Sequence, residues 1–488
     1  MKLETLVKSF RSKKLFLLVL LVSNFCLRLN RIGDPLTGFY EHRTTQTAFG
    51  IKSLTQNGMN PFTAEMPVFG PPWKVPFEFP MFQWFAAVLV RTQLFTVDQA
   101  GRIVASISIL SVGLIVFKIL SELHGEFVAC CGTAILIFSS FGLLVGTEIL
   151  IDGFALSLSL LAYWLIHARR NLTLDPKVVF LVMLALSISA LVKINTAILW
   201  ILGIGVLVLL NRSLGLRQRV FHCLMFVATL IPSLFWTRYA DDLKQESPYT
   251  QWLVSGKLHL WNFGTVSDRF DLKSLSISVT QFTNTAVGGL FCFLALVILA
   301  ITNKQTRKSA ISLVLVFLSG PLIFITLYEV HSYYWMSVLP AAVLLASMGL
   351  AFIGELLQSY LPALKIKFVY LLASAVILGI SYFSTAGAGL MNIFIHHQPM
   401  PSSKFSIEAS TKIEDWIIVI GDDWSPATLY YSNRRGLTLR PGSPKPRDSD
   451  LGTLYKYVYS HDKAPNWDEY FPKGLVLTEV NDHLYKIG

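Results

Sequence analysis

Apolar runs of about 20 residues alternate with short polar turns along most of the chain, from Leu15 to Phe383. A hydrocarbon core about 30 Å thick needs a helix of about 20 residues to cross it. Lipid tails offer no hydrogen-bond partners, so such segments must be α-helices. The pattern predicts a mainly α, polytopic membrane protein with about eleven transmembrane helices. The predicted spans are Leu15–Leu29, Arg102–Leu120, Phe127–Leu144, Leu150–Ile166, Val178–Val192, Thr196–Leu210, Val220–Trp236, Thr283–Ile301, Ile311–Leu327, Tyr334–Ile353 and Phe368–Phe383.

Three longer polar segments stand between or after these runs: residues 31–101, residues 237–281 and the tail 386–488. Within the first, Met81–Leu94 is apolar but interrupted by polar residues and rich in aromatic ones. These features indicate an amphipathic helix lying along the membrane interface. Counting the spans from the N-terminus places all three polar segments on the same, outer side.

The tail has the pattern of a small folded domain. Trp416–Ile420 is a short apolar run followed by Gly421, which is typical of a buried strand that enters a turn. Tyr455–Tyr459 and Leu475–Glu479 also favour strands. The chain is therefore predicted to have a transmembrane domain, residues 1–385, and an extracytoplasmic α/β domain, residues 386–488.

The composition agrees with a membrane protein, because 53% of residues are hydrophobic and only 15% are charged, against roughly 25% charged in a soluble domain. The net charge of +11 is concentrated before the first span and in short turns. Positive charge of this kind marks the cytoplasmic side and implies no nucleic-acid partner. The first run is expected to stay as an anchor, with the N-terminus in the cytoplasm. The basic turns are Arg169–Arg170, Arg212–Arg219, Lys304–Lys308 and Lys365–Lys367.

Residues that could take part in catalysis or binding lie at the predicted outer ends of the helices. They are Glu148, Asp152, Lys193, Arg238 and His331. Charges near the interface cost less than charges at the bilayer centre, where insertion costs roughly 2.5 to 3.5 kcal/mol. The topology therefore predicts a polar cavity that opens outward.

Two motifs in the first outer loop resemble those of a known family. Glu41-His42-Arg43-Thr44-Thr45-Gln46-Thr47-Ala48 is similar to a Glu-Trp-Arg-Gln-Thr-Gln-Thr-Ala signature, and Glu78-Phe79-Pro80 is similar to the stretch that ends the same loop. The segment His331-Ser332-Tyr333-Tyr334 resembles a His-x-Tyr-Tyr element of that family. The family is that of bacterial C-type glycosyltransferases related to protein O-mannosyltransferases and to the aminoarabinose transferase of lipid A. The chain differs from the signature at His42 and Thr44, and it lacks the adjacent acidic pair of the mannosyltransferases.

The resemblance implies transfer of a sugar from a polyprenyl phosphate to a hydroxyl of a lipid, glycan or protein, with inversion. It makes Glu41 the expected general base, with Asp34 as the alternative carboxylate. The alternative for Glu41 is a solvated loop carboxylate paired with Arg43. The donor phosphate is expected to contact Arg43, Lys193, Arg238, His331, Tyr333 and Tyr334. Contacts to the sugar or acceptor are expected from His42, Gln46, Glu78, Glu148 and Asp152.

Several alternatives stay open from the sequence. A transporter or flippase of lipid-linked sugars would also need many helices and an outward cavity, although transporters usually place polar groups at the midplane. Asp423-Trp424-Ser425-Pro426 in the tail fits either a binding site or a turn before a capped helix. No cofactor is required. No spacing of ligands matches a dedicated metal site, and a divalent ion stays an alternative. The expected location is the plasma or inner membrane, and no oligomeric state is predicted.

Overall fold

The computed structural model describes the backbone of residues 3–463 and 465–488, and their side chains except those of residues 3–14 and 272. This part of the chain is mainly helical. The first eight helices are α1 Leu3–Leu29, α2 Glu41–Gln56, α3 Met81–Arg91, α4 Val97–His124, α5 Glu126–Phe138, α6 Ser140–Val145, α7 Asp152–His167 and α8 Pro176–Leu209. The next ten are α9 Leu216–Ala228, α10 Ile231–Gln245, α11 His259–Phe263, α12 Leu272–Ala286, α13 Leu290–Thr302, α14 Arg307–Ile323, α15 Ile325–Val330, α16 Leu339–Tyr360, α17 Ile366–Phe383 and α18 Thr385–Ile395.

Five helical segments in the described residues are long and apolar enough to cross a membrane, and the bent pair α12–α13 would be a sixth. The multi-pass class is therefore confirmed, whereas the count of about eleven spans is not. The two counts differ because several predicted spans consist of shorter helices, and because Pro176–Leu209 counts once although it contains two predicted spans. The five segments are Val97–His124, Pro176–Leu209, Leu216–Gln245, Ser332–Tyr360 and Ile366–Phe383.

Three predicted spans are interrupted in the structure. The predicted span Phe127–Leu144 breaks at Ser139, whose hydroxyl accepts the backbone N–H of Gly142 at 3.2 Å and caps α6. The predicted span Thr283–Ile301 bends by 79° between α12 and α13. Gly288 and Gly289 adopt φ of 84° and 98° at this bend, a conformation that L side chains rarely adopt.

The third interruption divides the predicted span Ile311–Leu327 into α14 and α15 at Phe324. Pro321 precedes the break and removes one helical hydrogen bond. Apolar content gives no signal for any of these breaks, because the interrupting residues are themselves apolar or small.

Helix α8 consists of two helical halves that fold back against each other. Its backbone leaves helical geometry at Lys193, where φ is −156° and ψ is 88°. Ser189 before the break bonds Ser159 of α7 at 2.7 Å, and Trp200 after the break packs 5.2 Å from the Tyr163 ring of the same helix. A straight helix would carry Trp200 away from α7, so the chain reverses at Lys193. The two predicted spans Val178–Val192 and Thr196–Leu210 correspond to these halves.

The predicted basic turns meet at one end of the helix bundle. Asn211 donates to the carbonyl of Leu172 at 2.9 Å, and Lys308 donates to the side chain of Asn171 at 3.3 Å. At the opposite end, the three predicted outer segments contact one another. Gly70 of the first loop bonds Gly436 of the tail at 3.0 Å. The bundle core between the two ends is built from apolar residues of the helices.

The tail contains a five-stranded sheet with the order β2-β1-β3-β5-β4. Strand β1 is parallel to β2 and β3, whereas β5 runs antiparallel to β3 and β4. The three predicted strands correspond to β1, β3 and β4, and β2 and β5 were not predicted. The elements are α19 Ser402–Ser410, β1 Trp416–Ile420, α20 Ala427–Tyr431, β2 Gly436–Leu439, β3 Tyr455–Ser460, α21 Trp467–Tyr470, β4 Leu477–Asn481 and β5 Leu484–Ile487.

Helix α18 lies within the predicted tail but packs on the helix bundle. Its Phe394 is buried in the bundle core. The sheet begins only at Trp416, so residues 385–395 contribute to the helical part of the molecule.

Candidate active site

The N-terminal turn of α2 positions the signature residues. Tyr40 precedes the helix in a left-handed conformation, with φ 51° and ψ 49°, and turns the chain into it. The Tyr40 hydroxyl accepts the backbone N–H of Ser332 at 2.7 Å, which ties this turn to the predicted His-x-Tyr-Tyr segment. Thr45 donates its hydroxyl to the Glu41 carbonyl at 2.6 Å. The first turn of α2 is therefore held against residues almost 300 positions further along the chain.

A cavity of about 760 Å³ lies beside this turn, at the end of the bundle opposite the basic turns. Seven predicted site residues line it, and they come from two distant parts of the chain. They are Glu41, His42, Arg43, Gln46, His331, Tyr333 and Tyr334.

Arg43 and Lys193 form a buried charge network with two carboxylates. Arg43 pairs with Glu78 and donates to the Gln46 side chain at 2.7 Å. Lys193 Nζ lies 3.8 Å from Glu78 Oε1 and 3.6 Å from Asp152 Oδ1. Burial raises the pKa of Glu78, but the charges of Arg43 and Lys193 outweigh it and hold this pKa below its ordinary value. Glu78 therefore stays ionised and holds the side chains of Arg43 and Lys193 in place.

Lys193 is placed at the cavity by the break in α8. Its Nζ lies 4.6 Å from the centroid of the Tyr334 ring and 5.7 Å from that of Tyr333. These distances fit cation–π contacts. Since both tyrosines line the cavity, the ammonium group stands directly behind its wall.

Glu41 is the carboxylate with the properties of a base near neutral pH. Burial, and then the nearby negative charge of Asp422, raise the pKa of Glu41 to about 7. General-base catalysis works best when the pKa of the base is close to the working pH.

The two histidines of the cavity are neutral at pH 7. Burial, followed by the charge of Arg43, lowers the pKa of His42 to about 4. Burial, His42 and Lys193 lower the pKa of His331 to about 4 as well. Neither imidazole therefore contributes a positive charge to the cavity at this pH. The Nδ1 atom of His331 is buried and has no hydrogen-bond partner among the described residues.

Three predicted site residues neither line the cavity nor belong to the charge network of Arg43 and Lys193. Asp34 lies 3.6 Å from Arg31 and bonds His397 at 2.6 Å. Glu148 lies 3.2 Å from Arg31 and 3.5 Å from Arg102. These two carboxylates neutralise buried guanidinium groups, a structural use that the sequence did not reveal. The third residue, Arg238, is exposed on α10 and lines no part of the cavity.

The opposite wall of the cavity comes from segments that sequence analysis did not assign to the site. The loop after β1 contributes Asp422, Asp423, Trp424 and Ser425. The remaining residues come from the second outer segment, from the first residue after β2 and from the first loop. The only sequence signal was the Asp-Trp-Ser-Pro turn, which also fitted a simple turn. The others are Trp252, Leu253, Lys257, Leu258, Trp261, Asn262 and Arg440, with Phe77 from the first loop.

Among the described residues, no group of three or more His, Cys, Asp or Glu side chains is arranged to hold a metal ion. The side chains that line the cavity and could act chemically include the carboxylates of Glu41, Asp422 and Asp423, the cations of Arg43, Lys257 and Arg440, two imidazoles and two phenols.

The helix bundle, the cavity at one of its ends and the small sheet are features of a multi-pass membrane protein with an additional α/β domain. Solved structures share this arrangement. ArnT from Cupriavidus metallidurans bound to undecaprenyl phosphate superposes with a TM-score of 0.67 at 12% identity, over 96% of this chain and 97% of that one. Its apo state gives a TM-score of 0.66 with the same identity and coverage.

The arabinofuranosyltransferase AftD from Mycobacteria superposes with a TM-score of 0.55 at 14% identity, over 95% of this chain but only 37% of AftD. ArnT and AftD are both C-type glycosyltransferases. No protein-family model matches the sequence, and no curated protein matches it in sequence. The chain therefore has the fold of the C-type membrane glycosyltransferases, as the motifs predicted.

Proposed function

We propose that this chain is a membrane glycosyltransferase that moves a sugar from a polyprenyl phosphate to a hydroxyl group of a lipid, glycan or protein. One observation carries the proposal: Glu41, Arg43 and His331 line one cavity, with Lys193 directly behind its wall. The ArnT structure supports the donor class, because that protein was solved with undecaprenyl phosphate.

The reaction assigns a role to each group. Glu41 takes the proton of the acceptor hydroxyl, and the oxygen of that hydroxyl attacks the anomeric carbon of the donor. The bond between the anomeric carbon and the phosphate oxygen breaks in the same step. A single displacement of this kind inverts the anomeric configuration. The polyprenyl phosphate leaves with a second negative charge, which Arg43 and Lys193 stabilise more strongly in the transition state than in the ground state.

The lipid part of the donor has a route to the cavity. Leu258 and Trp261 line the cavity, and the chain that follows exposes large apolar side chains at Val266 and Phe270. Exposed apolar groups of this size are stabilised by lipid rather than by water. The isoprenoid chain would therefore lie along this segment, with its phosphate directed towards Arg43.

The proposed location is the plasma or inner membrane, with the cavity and the sheet domain outside the cytoplasm. The basic turns lie at the opposite end of the bundle, where positive charge marks the cytoplasmic side.

The test uses the full chain reconstituted in lipid vesicles, with a polyprenyl phosphate that carries a radiolabelled sugar and a cell-envelope extract as acceptor. We expect label to move from the donor lipid to an acceptor in the extract. Donor that crosses the bilayer while no labelled product forms would contradict the proposal and favour a flippase.

A further inference from the structure

The wall of the cavity that faces Glu41 has an aromatic surface, which the proposed donor chemistry does not use. Trp424 lies 5.8 Å from the His42 ring and 5.9 Å from the Trp252 ring. Phe69 and Phe77 stack near it at 6.0 and 6.1 Å. These contacts fix the indole while its surface still lines the cavity. A rigid aromatic surface of this kind costs little conformational entropy when it binds a ligand.

Polar groups that accept or donate hydrogen bonds surround the aromatic surface. Asp422 and Asp423 enter from the loop after β1, where Gly421 has φ 81° and Asp423 has φ 45°. Asn262 lines the cavity from the second outer segment. The guanidinium of Arg440 lies 3.7 Å from the ring centroid of Trp252 and is thereby held in place.

This combination suits a sugar better than a lipid or an apolar ligand. A sugar ring presents C–H groups on one face, which pack on the negative face of an indole. Its hydroxyl groups point outward and can donate to ionised carboxylates, which only accept. A purely apolar ligand would leave Asp422 and Asp423 desolvated without partners, at a cost of free energy.

The edge of the sheet formed by β2 cannot bind an extended peptide as an additional strand. Such a peptide commonly adds a strand to an open edge. The edge strand β2 is already covered by the first outer loop, because Gly436 donates to the Pro67 carbonyl at 3.0 Å and Thr438 to the Val68 carbonyl at 2.8 Å. Strand addition by a peptide is therefore closed at this edge.

We propose that Asp422, Asp423, Trp424 and Trp252 form an acceptor subsite that binds a sugar ring of a glycan or glycolipid and presents its hydroxyl to Glu41. This inference rests on the proposed glycosyltransferase function and names its acceptor class. The loop after β1 thus makes the sheet domain part of the active site.

The first experiment treats the acceptor extract before the transfer assay with the wild-type protein. One portion is oxidised with periodate, which cleaves the C–C bond between sugar carbons that carry neighbouring hydroxyls and leaves two aldehydes, and the excess periodate is then quenched. A second portion is digested with protease. Transfer is expected to be lost after periodate and retained after protease. Loss of transfer only after protease would overturn the carbohydrate acceptor while leaving the glycosyltransferase function intact. No transfer to the untreated extract would remove both.

The second experiment measures the concentration dependence for donor and acceptor separately. Trp424→Ala is expected to raise the acceptor KM by about tenfold or more, and Asp423→Asn by about three- to tenfold, with the donor KM unchanged. Trp467→Ala and Asp448→Asn are matched controls, since both residues belong to the same domain and neither lines the cavity. An unchanged acceptor KM in Asp423→Asn, which alters only one exposed side chain, would overturn the subsite.

Discussion

At the scale of single residues, the proposed role of Glu41 depends on which charged groups lie near its carboxylate. Arg43 follows two positions later but is held by Glu78 and Gln46 rather than by Glu41. Asp422 instead places a like charge near Glu41 and adds to the effect of burial. The carboxylate is therefore kept from becoming the permanently ionised partner of an arginine, which was the alternative that the sequence left open.

The pH dependence of transfer follows from this environment. Glu41 has a pKa of about 7, so the ionised fraction that can act as a base decreases below that pH. We expect the rate at low acceptor concentration to fall about tenfold per pH unit below pH 7. Removing the nearby negative charge in Asp422→Asn lowers the pKa of Glu41, so the acidic limb should move to lower pH.

Initial rates between about pH 5 and 9 test this prediction. Asp448→Asn removes an exposed carboxylate of the same domain and should leave the acidic limb in place. A limb that stays at the same pH in Asp422→Asn would show that this charge does not act on Glu41.

The residues of the site differ in how far sequence could predict them. The signature and the His-x-Tyr-Tyr segment were found because they are contiguous motifs. Asp422, Trp252 and Arg440 were missed because each lies in a short polar stretch with an ordinary local explanation. Asp34 and Glu148 were misplaced because a buried ion network and a catalytic cluster use the same residue types.

At the scale of elements, the reversal at Lys193 determines where the second cation lies. Asp152, at the start of α7, lies 3.6 Å from Lys193 and is almost completely buried. Neither of its carboxylate oxygens has a hydrogen-bond partner among the described residues, so the ammonium group is its main compensation.

Lys193→Met is therefore expected to destabilise the protein by about 3 to 5 kcal/mol, because it leaves a buried charge without its partner. The double variant Lys193→Met with Asp152→Asn removes both charges and should recover part of this loss. Thermal unfolding in detergent measures the effect. A double variant that is less stable than Lys193→Met would contradict the pairing.

The elements also show what hydropathy can and cannot predict. The paired spans around Lys193 and the long helix α4 were predicted because apolar length and polar interruption coincide there. The bend at Gly288 and Gly289 and the break at Phe324 were missed because no charged residue interrupts the apolar run at either place. Strands β2 and β5 have only four residues each, which is too short for a distinct pattern.

At the scale of the whole molecule, basic turns and cavity lie at opposite ends of the bundle. This arrangement predicts that residue 212 faces the cytoplasm and residue 448 faces outside. Cysteines introduced as Arg212→Cys and Asp448→Cys, both at exposed positions, can be labelled with a membrane-impermeant maleimide.

We expect Asp448→Cys to be labelled in intact cells and Arg212→Cys only after the membrane is permeabilised. The unmodified chain, treated in the same way, gives the background from its five native cysteines. The reverse pattern would place the cavity inside the cell and contradict the proposed location.

The proposed mechanism requires that Glu41 and Arg43 on α2 act together with Lys193 at the break in α8 on one glycosyl donor. It is tested most directly by single-turnover transfer of labelled sugar by Glu41→Gln at saturating donor, with Glu246→Gln as the exposed control. The mechanism predicts a rate lower by roughly 10²- to 10⁴-fold for Glu41→Gln, with donor binding unchanged and the control active. Transfer at the wild-type rate by Glu41→Gln would contradict it.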